Sequence, residues 1–123
     1  MKILITGAAG FVGFSFAKYL LKKDYKIIGL DNLNNYYDVN LKKKRLKQLS
    51  KSNNFKFYKV DLTEKIKIEK IFKNNKIDFI FHFAAQAGVR HSIDHPRKYI
   101  ESNILGFYNL IENVRNHNIK RLF

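Results

Sequence analysis

Near its N-terminus the chain reads Ile3-Leu4-Ile5-Thr6-Gly7-Ala8-Ala9-Gly10-Phe11-Val12-Gly13. The apolar, β-branched run that ends at Gly7 predicts a short strand buried on both faces. From Phe11 to Lys23 apolar residues recur at helical spacing, which predicts a helix. A strand, a turn with three glycines and a helix, in this order, are the opening of a βαβ unit.

The same alternation continues along the chain. It predicts strands at 26–31, 55–60 and 77–83, a strand starting at 120, helices at 39–49, 63–75 and 96–116, and a loop at 84–95. Such alternation implies right-handed crossovers and an α/β fold with helices on both faces of a parallel sheet. We therefore expect a Rossmann-type doubly wound sheet with strand order 3-2-1-4 and a stub of strand 5. The fourth strand would then form an apolar edge, so we expect a poorly soluble or partly molten chain.

The three glycines have separate predicted roles. Gly7 allows the tight turn, Gly10 lets the backbone approach a diphosphate, and Gly13 lets the helix pack closely. The diphosphate would bind free amides at the positive end of the helix. Asp31 ends the second strand, where a carboxylate accepts the ribose hydroxyls and repels a 2′-phosphate, although an Asp opening a loop is also common. The pattern predicts NAD, rather than NADP, as the cofactor.

The composition leaves other function classes weakly supported. Lys and Arg number 24 against 10 acidic residues, a net charge of +14, which suits nucleic acid or an anionic membrane. The lysines are scattered, however, and the densest basic run, at 42–47, has no interleaved aromatic residues that could stack on bases. We expect no nucleic-acid partner, and salt-titrated binding to a DNA duplex would test this alternative. No apolar stretch reaches the length of a membrane span.

Cysteine is absent from the chain. This excludes disulfides and thiolate ligands and allows a cytoplasmic location, which we expect. The four histidines suggest no metal site.

Several segments together resemble the extended short-chain dehydrogenase/reductase superfamily of NAD-dependent epimerases and dehydratases. They follow the family's order: the Gly7, Gly10, Gly13 spacing, Asp61-Leu62, His82-Phe83-Ala84-Ala85, and Ser102-Asn103-Ile104-Leu105-Gly106. The resemblance implies that Asp61-Leu62 lies against the adenine and that the segment from His82 lies beside the nicotinamide ribose. It also implies a homodimer formed through helix 96–116.

Two loops, 31–42 and 84–92, look most like those of UDP-glucuronate 4-epimerases. The implied chemistry is transient oxidation of the sugar at C4, followed by return of the hydride to its other face. Alternatives are an epimerase of UDP-glucose or UDP-N-acetylhexosamine, a 4,6-dehydratase, a decarboxylase, or a non-catalytic NAD-binding module.

The family's catalytic Tyr-x-x-x-Lys pair is expected beyond Phe123, together with the substrate domain. We therefore interpret 1–123 as the N-terminal portion of an NAD-binding domain, with no catalytic residue and no turnover of its own. The same spacing at Tyr19 and Lys23 lies on the first helix and is a chance occurrence.

The expected site follows from these motifs. For the cofactor it comprises Gly7, Ala9, Gly10, Phe11, Val12, Gly13, Asp31, Asn32, Asn35, Asp61, Leu62, Phe83, Ala84, Ala85, Gln86 and Asn103. Asn32 and Asn35 could instead be turn-formers. Arg90 and Ser92 are candidates for a nucleotide-sugar substrate, since the planar fork of Arg90 suits a carboxylate or phosphate, although a solvated arginine is the alternative.

Overall fold

The computed structural model describes residues 1–123, and a parallel five-stranded sheet forms its centre. The strands are β1 (Lys2–Thr6), β2 (Lys26–Asp31), β3 (Phe55–Lys59), β4 (Phe79–His82) and β5 (Arg121–Leu122). Their order is β3-β2-β1-β4-β5. The predicted fold class and strand order are confirmed.

Helices cover both faces of the sheet. They are α1 (Phe11–Leu21), α2 (Val39–Leu49), α3 (Lys65–Lys73), α4 (Val89–Asp94), α5 (Pro96–Tyr99) and α6 (Gly106–Asn116), and a π-helical segment (Ile100–Leu105) joins α5 to α6. Alternate residues of β1 point to opposite faces. Ile3 and Ile5 pack in the layer that includes Ala17 of α1, while Leu4 packs in the layer that includes Leu110 of α6. No helix is both long and apolar enough to span a membrane.

The helix predicted at 63–75 is observed at Lys65–Lys73 and the strand predicted at 77–83 at Phe79–His82. Two further segments differ from the prediction in the type of structure they form. The segment predicted as a loop at 84–95 contains α4. The predicted helix 96–116 is interrupted by the π-helical segment at 100–105, a type of helix that is rare and concentrated at functional sites. Neither feature has a periodicity that distinguishes it in the sequence.

The fourth strand is not an open edge. Phe79 pairs with Arg121, and Ile80 pairs with Leu122. The amide of His82 donates to the Phe123 carbonyl at 2.8 Å, which extends the pairing to the end of the strand. The reason given above for poor solubility is therefore wrong, because the last residues cover β4; solubility itself stays a prediction.

The strand order determines where a ligand can bind. The chain winds from β1 outward to β3 and then returns to the other side of β1 to form β4. The connections on the two sides of β1 therefore diverge, which leaves a crevice beyond the carboxyl ends of β1 and β4.

Candidate functional site

A cleft of ≈ 310 Å³ occupies this crevice. Its walls come from the segments that follow β1, β2, β3 and β4. Thirteen of the residues expected at the site line it: Gly7, Gly10, Phe11, Val12, Gly13, Asp31, Asn32, Asp61, Leu62, Phe83, Ala84, Ala85 and Gln86. Residues from four distant stretches of sequence thus converge on one cavity.

The loop between β1 and α1 is packed too tightly for side chains at two of its glycines. Gly7 has φ +68°, a left-handed conformation, and a Cβ there would lie 2.8 Å from the amide nitrogen of Ala84. A Cβ at Gly13 would lie 2.2 Å from the carbonyl oxygen of Gly7. The predicted turn and close-packing roles of these two glycines match this geometry.

The start of α1 presents unused hydrogen-bond donors. Gly10 is the N-cap and makes no side-chain cap bond, and the first turn has no acidic residue. The amides of Phe11, Val12 and Gly13 donate to no protein acceptor. Because these groups lie at the positive end of the helix, they suit an anion such as a diphosphate.

Arg45 of α2 supports the same loop. Its guanidinium donates to the carbonyl of Ala9 at 3.1 Å and lies about 6 Å from the ring centroids of Phe11 and Phe14. This contact holds the loop from the side of α2 and adds positive charge near the start of α1.

Asp31 is buried at the end of β2 and is tied into the glycine loop. Its Oδ2 accepts the amide of Ala9 at 3.1 Å, and its Oδ1 accepts the amide of Leu33 at 2.8 Å. These two bonds fix the carboxylate, and each oxygen retains a lone pair for a ligand. Asp31 can therefore accept hydrogen bonds from a sugar diol in the cleft.

Asp61 forms the next part of the wall. It accepts the Asn32 side-chain amide at 2.7 Å and both the amide and the hydroxyl of Thr63. Burial raises the pKa of Asp61, but these hydrogen bonds outweigh it and hold the pKa below its ordinary value. Behind it, Asn109 of α6 donates to the carbonyl of Leu62 at 2.8 Å, which anchors this loop to the helix layer.

Thr6 and His82 join the ends of β1 and β4. The Thr6 hydroxyl lies 2.6 Å from Nδ1 of His82 and accepts the amide of Ala84 at 3.1 Å. Burial lowers the pKa of His82, which favours the neutral ring. The Thr6 hydroxyl therefore links His82 to the Ala84 amide, and these two contacts fix the start of the segment at Ala84.

Asn103 holds that segment from the other side. Its Oδ1 accepts the amide of Gln86 at 2.8 Å, and its Nδ2 donates to the carbonyl of the same residue at 3.1 Å. Asn103 does not line the cleft; it positions Gln86, which does. The π-helical segment brings this side chain to the loop.

The remaining expected residues lie around the cleft rather than on its walls. Ala9 is fully buried and supports Asp31 through its amide. Asn35 lies in a neighbouring polar cavity. Arg90 and Ser92 lie on α4, where Arg90 is exposed and Ser92 donates to the carbonyl of Val89.

Several wall residues were not predicted from the sequence, among them Lys42, Asn34, Tyr36 and Ser102. Lys42 belongs to the basic run at 42–47, and it precedes Leu46 and Leu49 by four and seven residues, so helical spacing places it on the buried face of α2. Tyr36 reaches across from the β2 loop, and its ring centroid lies 4.9 Å from that of His91 on α4. The contact between these loops depends on the tertiary fold, which explains why no local pattern revealed it.

The arrangement fits a dinucleotide. Three residues whose amides have no protein acceptor line one part of the cleft, and the fixed carboxylate of Asp31, at the end of β2, lines another. At Gly7 and Gly13 the loop has no room for even one added carbon.

Comparison with known proteins gives consistent matches. The family model described as GDP-mannose 4,6 dehydratase matches residues 4–123. Protein CapI of Staphylococcus aureus is 49% identical over 122 residues, covering 99% of this chain and 36% of that protein. A UDP-glucuronate 4-epimerase of Thermodesulfobacterium geofontis is 45% identical, covering 97% of this chain and 37% of that protein. The chain thus spans little more than a third of the length of these relatives.

Solved structures agree with the sequence matches. The UDP-glucuronic acid 4-epimerase of Bacillus cereus, in complex with UDP-glucuronic acid and NAD, superposes with a TM-score of 0.90 at 31% identity, covering 99% of this chain and 38% of that one. The UDP-glucose 4-epimerase of Thermotoga maritima, with UDP-glucose, gives a TM-score of 0.85 at 31% identity, covering 99% of this chain and 36% of that one.

Proposed function

The chain belongs to the GDP-mannose 4,6 dehydratase family, within the NAD-dependent epimerases and dehydratases, and from this premise we propose that it is the NAD-binding part of a nucleotide-sugar 4-epimerase. One observation carries the proposal: unused amides at the start of α1 and the fixed carboxylate of Asp31 share one cleft. Relatives and solved neighbours include epimerases, and some of these structures contain NAD.

Each wall of the cleft has a proposed role. The amides of Phe11, Val12 and Gly13 bind the diphosphate, Asp31 binds the adenosine ribose, and Asp61 with Leu62 lies against the adenine. When bound, NAD supplies the acceptor and donor of a hydride at a sugar carbon. The chain's own residues are proposed to bind the cofactor and set its orientation. No proton-transfer role is proposed for them, because the cleft contains no Tyr-x-x-x-Lys pair. Tyr19 is exposed on α1, and the ammonium of Lys23 lies over its ring.

We propose UDP-glucuronate, converted to UDP-galacturonate, as the substrate of the whole enzyme. Relatives named UDP-glucuronate 4-epimerase support this, and so does the likeness of segments 31–42 and 84–92 to the corresponding loops of UDP-glucuronate 4-epimerases. Arg90 is the proposed partner of the sugar carboxylate or a phosphate, with Ser92 beside it. Titrations of the whole enzyme with UDP-glucuronate and UDP-glucose test the choice, and tighter binding of UDP-glucose would contradict it.

Calorimetric titration with NAD⁺ and NADP⁺ tests the cofactor. The unmodified chain is expected to bind NAD⁺ more tightly. Asp31→Ala should weaken NAD⁺ and reduce the preference, because the variant loses the ribose acceptor and the repulsion of a 2′-phosphate. Asp94→Ala, which removes an exposed carboxylate from α4, is the matched control. Equal affinity of the unmodified chain for both dinucleotides would contradict the role of Asp31.

We also propose a cytoplasmic homodimer formed through the helical region 96–116. An apolar stripe there is exposed: Ile100 55%, Ile104 58%, Tyr108 56% and Ile111 40%. Contiguous apolar surface of this kind is typical of interfaces. Ile104→Asp should shift the sedimentation of the chain to that of a monomer, whereas Ile93→Asp, on α4, should not. A monomeric unmodified chain at tens of micromolar would exclude the dimer.

A further inference from the structure

Lys42 is an unusual member of the basic run on α2. It is the one buried lysine of the chain, and Asp31 is the one buried carboxylate. Its Nζ lies 4.0 Å from Oδ1 of Asp31, and both side chains are 7% exposed. Lys43 and Lys44, the next residues, are exposed. Burying an ammonium ion is costly unless its hydrogen bonds are satisfied, so its place in the cleft wall needs an explanation.

The protein satisfies only two of the three donors of Lys42. Its Nζ donates to the Asn34 carbonyl at 3.0 Å and to Oδ1 of Asn34 at 2.9 Å. Asp31 is too far away for a third bond. One N–H of a buried cation is therefore left without a protein acceptor, beside a carboxylate that retains free lone pairs.

A donor next to an acceptor matches a vicinal diol, in which one hydroxyl donates and its neighbour accepts. We propose that Lys42 is a second ribose-binding residue of the dinucleotide site and determines its specificity. This inference rests on the proposed function. Asp31 accepts from the ribose and Lys42 donates to it. The positive charge of Lys42 also offsets the repulsion between Asp31 and a 2′-phosphate, so it sets how strongly NADP⁺ is rejected.

The test is calorimetric titration of NAD⁺ and NADP⁺ into the unmodified chain, Lys42→Met, Asp31→Asn, and the double variant. Lys42→Met should weaken NAD⁺ about tenfold, the loss of one charge-assisted bond. Asp31→Asn should raise the affinity for NADP⁺ relative to NAD⁺, because the repulsion is gone. Adding Lys42→Met should remove most of that gain, since the phosphate then loses its cation. Lys43→Met, which changes an exposed lysine, should alter neither affinity.

The ratio of the NAD⁺ affinity to the NADP⁺ affinity distinguishes direct recognition of the dinucleotide by Lys42 from a purely structural role of this residue. If Lys42 only held Asn34 in place, its loss would weaken both dinucleotides equally and leave the ratio in the Asp31→Asn background unchanged, which would overturn the inference. If Lys42→Met does not unfold cooperatively, Lys42→Gln replaces it, because the amide can still donate to Asn34 without the charge. Should the unmodified chain bind NAD⁺ while the ratio stays unchanged, only this inference fails. Binding of neither dinucleotide would overturn the proposed function as well.

Discussion

Replacing Gly13 by alanine should damage both the stability of the chain and its binding site. The added Cβ would lie 2.2 Å from the Gly7 carbonyl oxygen and 2.8 Å from its carbon, whereas ordinary contact begins at 3.4 Å. The backbone of α1 or of the loop must therefore move by about 1.2 Å. Overpacking of this kind costs about 1–3 kcal/mol. For a chain of this size we expect the Tm to fall by about 5–12 °C.

The same shift displaces the amides that are proposed to bind the diphosphate. A hydrogen bond to a charged group contributes about 1.5–3 kcal/mol, so the loss of two weakens NAD⁺ about 100-fold or more. Gly10→Ala is a useful comparison. Its Cβ would lie 3.1 Å from the Gly7 carbonyl oxygen and requires only a small adjustment, so the Tm should change little. Binding of NAD⁺ should still fall, because the added methyl group lies where the diphosphate is expected to approach the backbone. Ser15→Ala, on the exposed side of α1, is the control for both.

Differential scanning fluorimetry and calorimetric titration with NAD⁺ measure the two effects. A Gly13→Ala chain that keeps the original Tm and NAD⁺ affinity would refute the close-packing argument. It would show that α1 can move without consequence for the loop.

Three further predictions concern the sheet and the loop after β4. Deleting Lys120–Phe123 should lower the Tm by about 10 °C, because several backbone hydrogen bonds of about 1 kcal/mol each are lost. It should also cause aggregation, measured by light scattering, because the edge of β4 becomes exposed. An unchanged Tm would contradict this prediction. The free energy of unfolding should fall as the pH drops below about 6.5, because burial lowers the pKa of His82 and the unfolded chain takes up a proton first. In urea titrations at several pH values, His82→Gln should make the unfolding free energy depend less steeply on pH. An unchanged dependence would show that His82 is not its source. Asn103→Ala should weaken NAD⁺ severalfold in calorimetry by releasing Gln86, whereas Asn116→Ala, at an exposed asparagine of the same helical region, should not.

Much of the architecture is determined locally. The apolar run at 3–6 and the helical spacing after Phe11 specify a strand and a helix through side-chain periodicity alone. Repetition of that unit leads to a parallel sheet, because each helix returns the chain to the end of the sheet at which the previous strand began. The glycine spacing also located a loop in which backbone contacts at Gly7 and Gly13 leave no room for a side chain.

Only the tertiary structure showed that Asn34, Tyr36, Lys42 and Ser102 share the cleft with the residues predicted from the sequence. Helical spacing places Lys42, but not Lys43, on the buried face of α2 with Leu46 and Leu49, whereas its contacts with Asn34 and Asp31 depend on how α2 packs in the fold. Asn103 was expected at the site from its motif, but its two hydrogen bonds to Gln86 and its place in a π-helical segment appear only in the tertiary structure. The pairing of β4 with β5 joins residues 42 positions apart. Periodicity in a sequence reports which side of one element faces the interior, whereas contacts between elements depend on how those elements pack together.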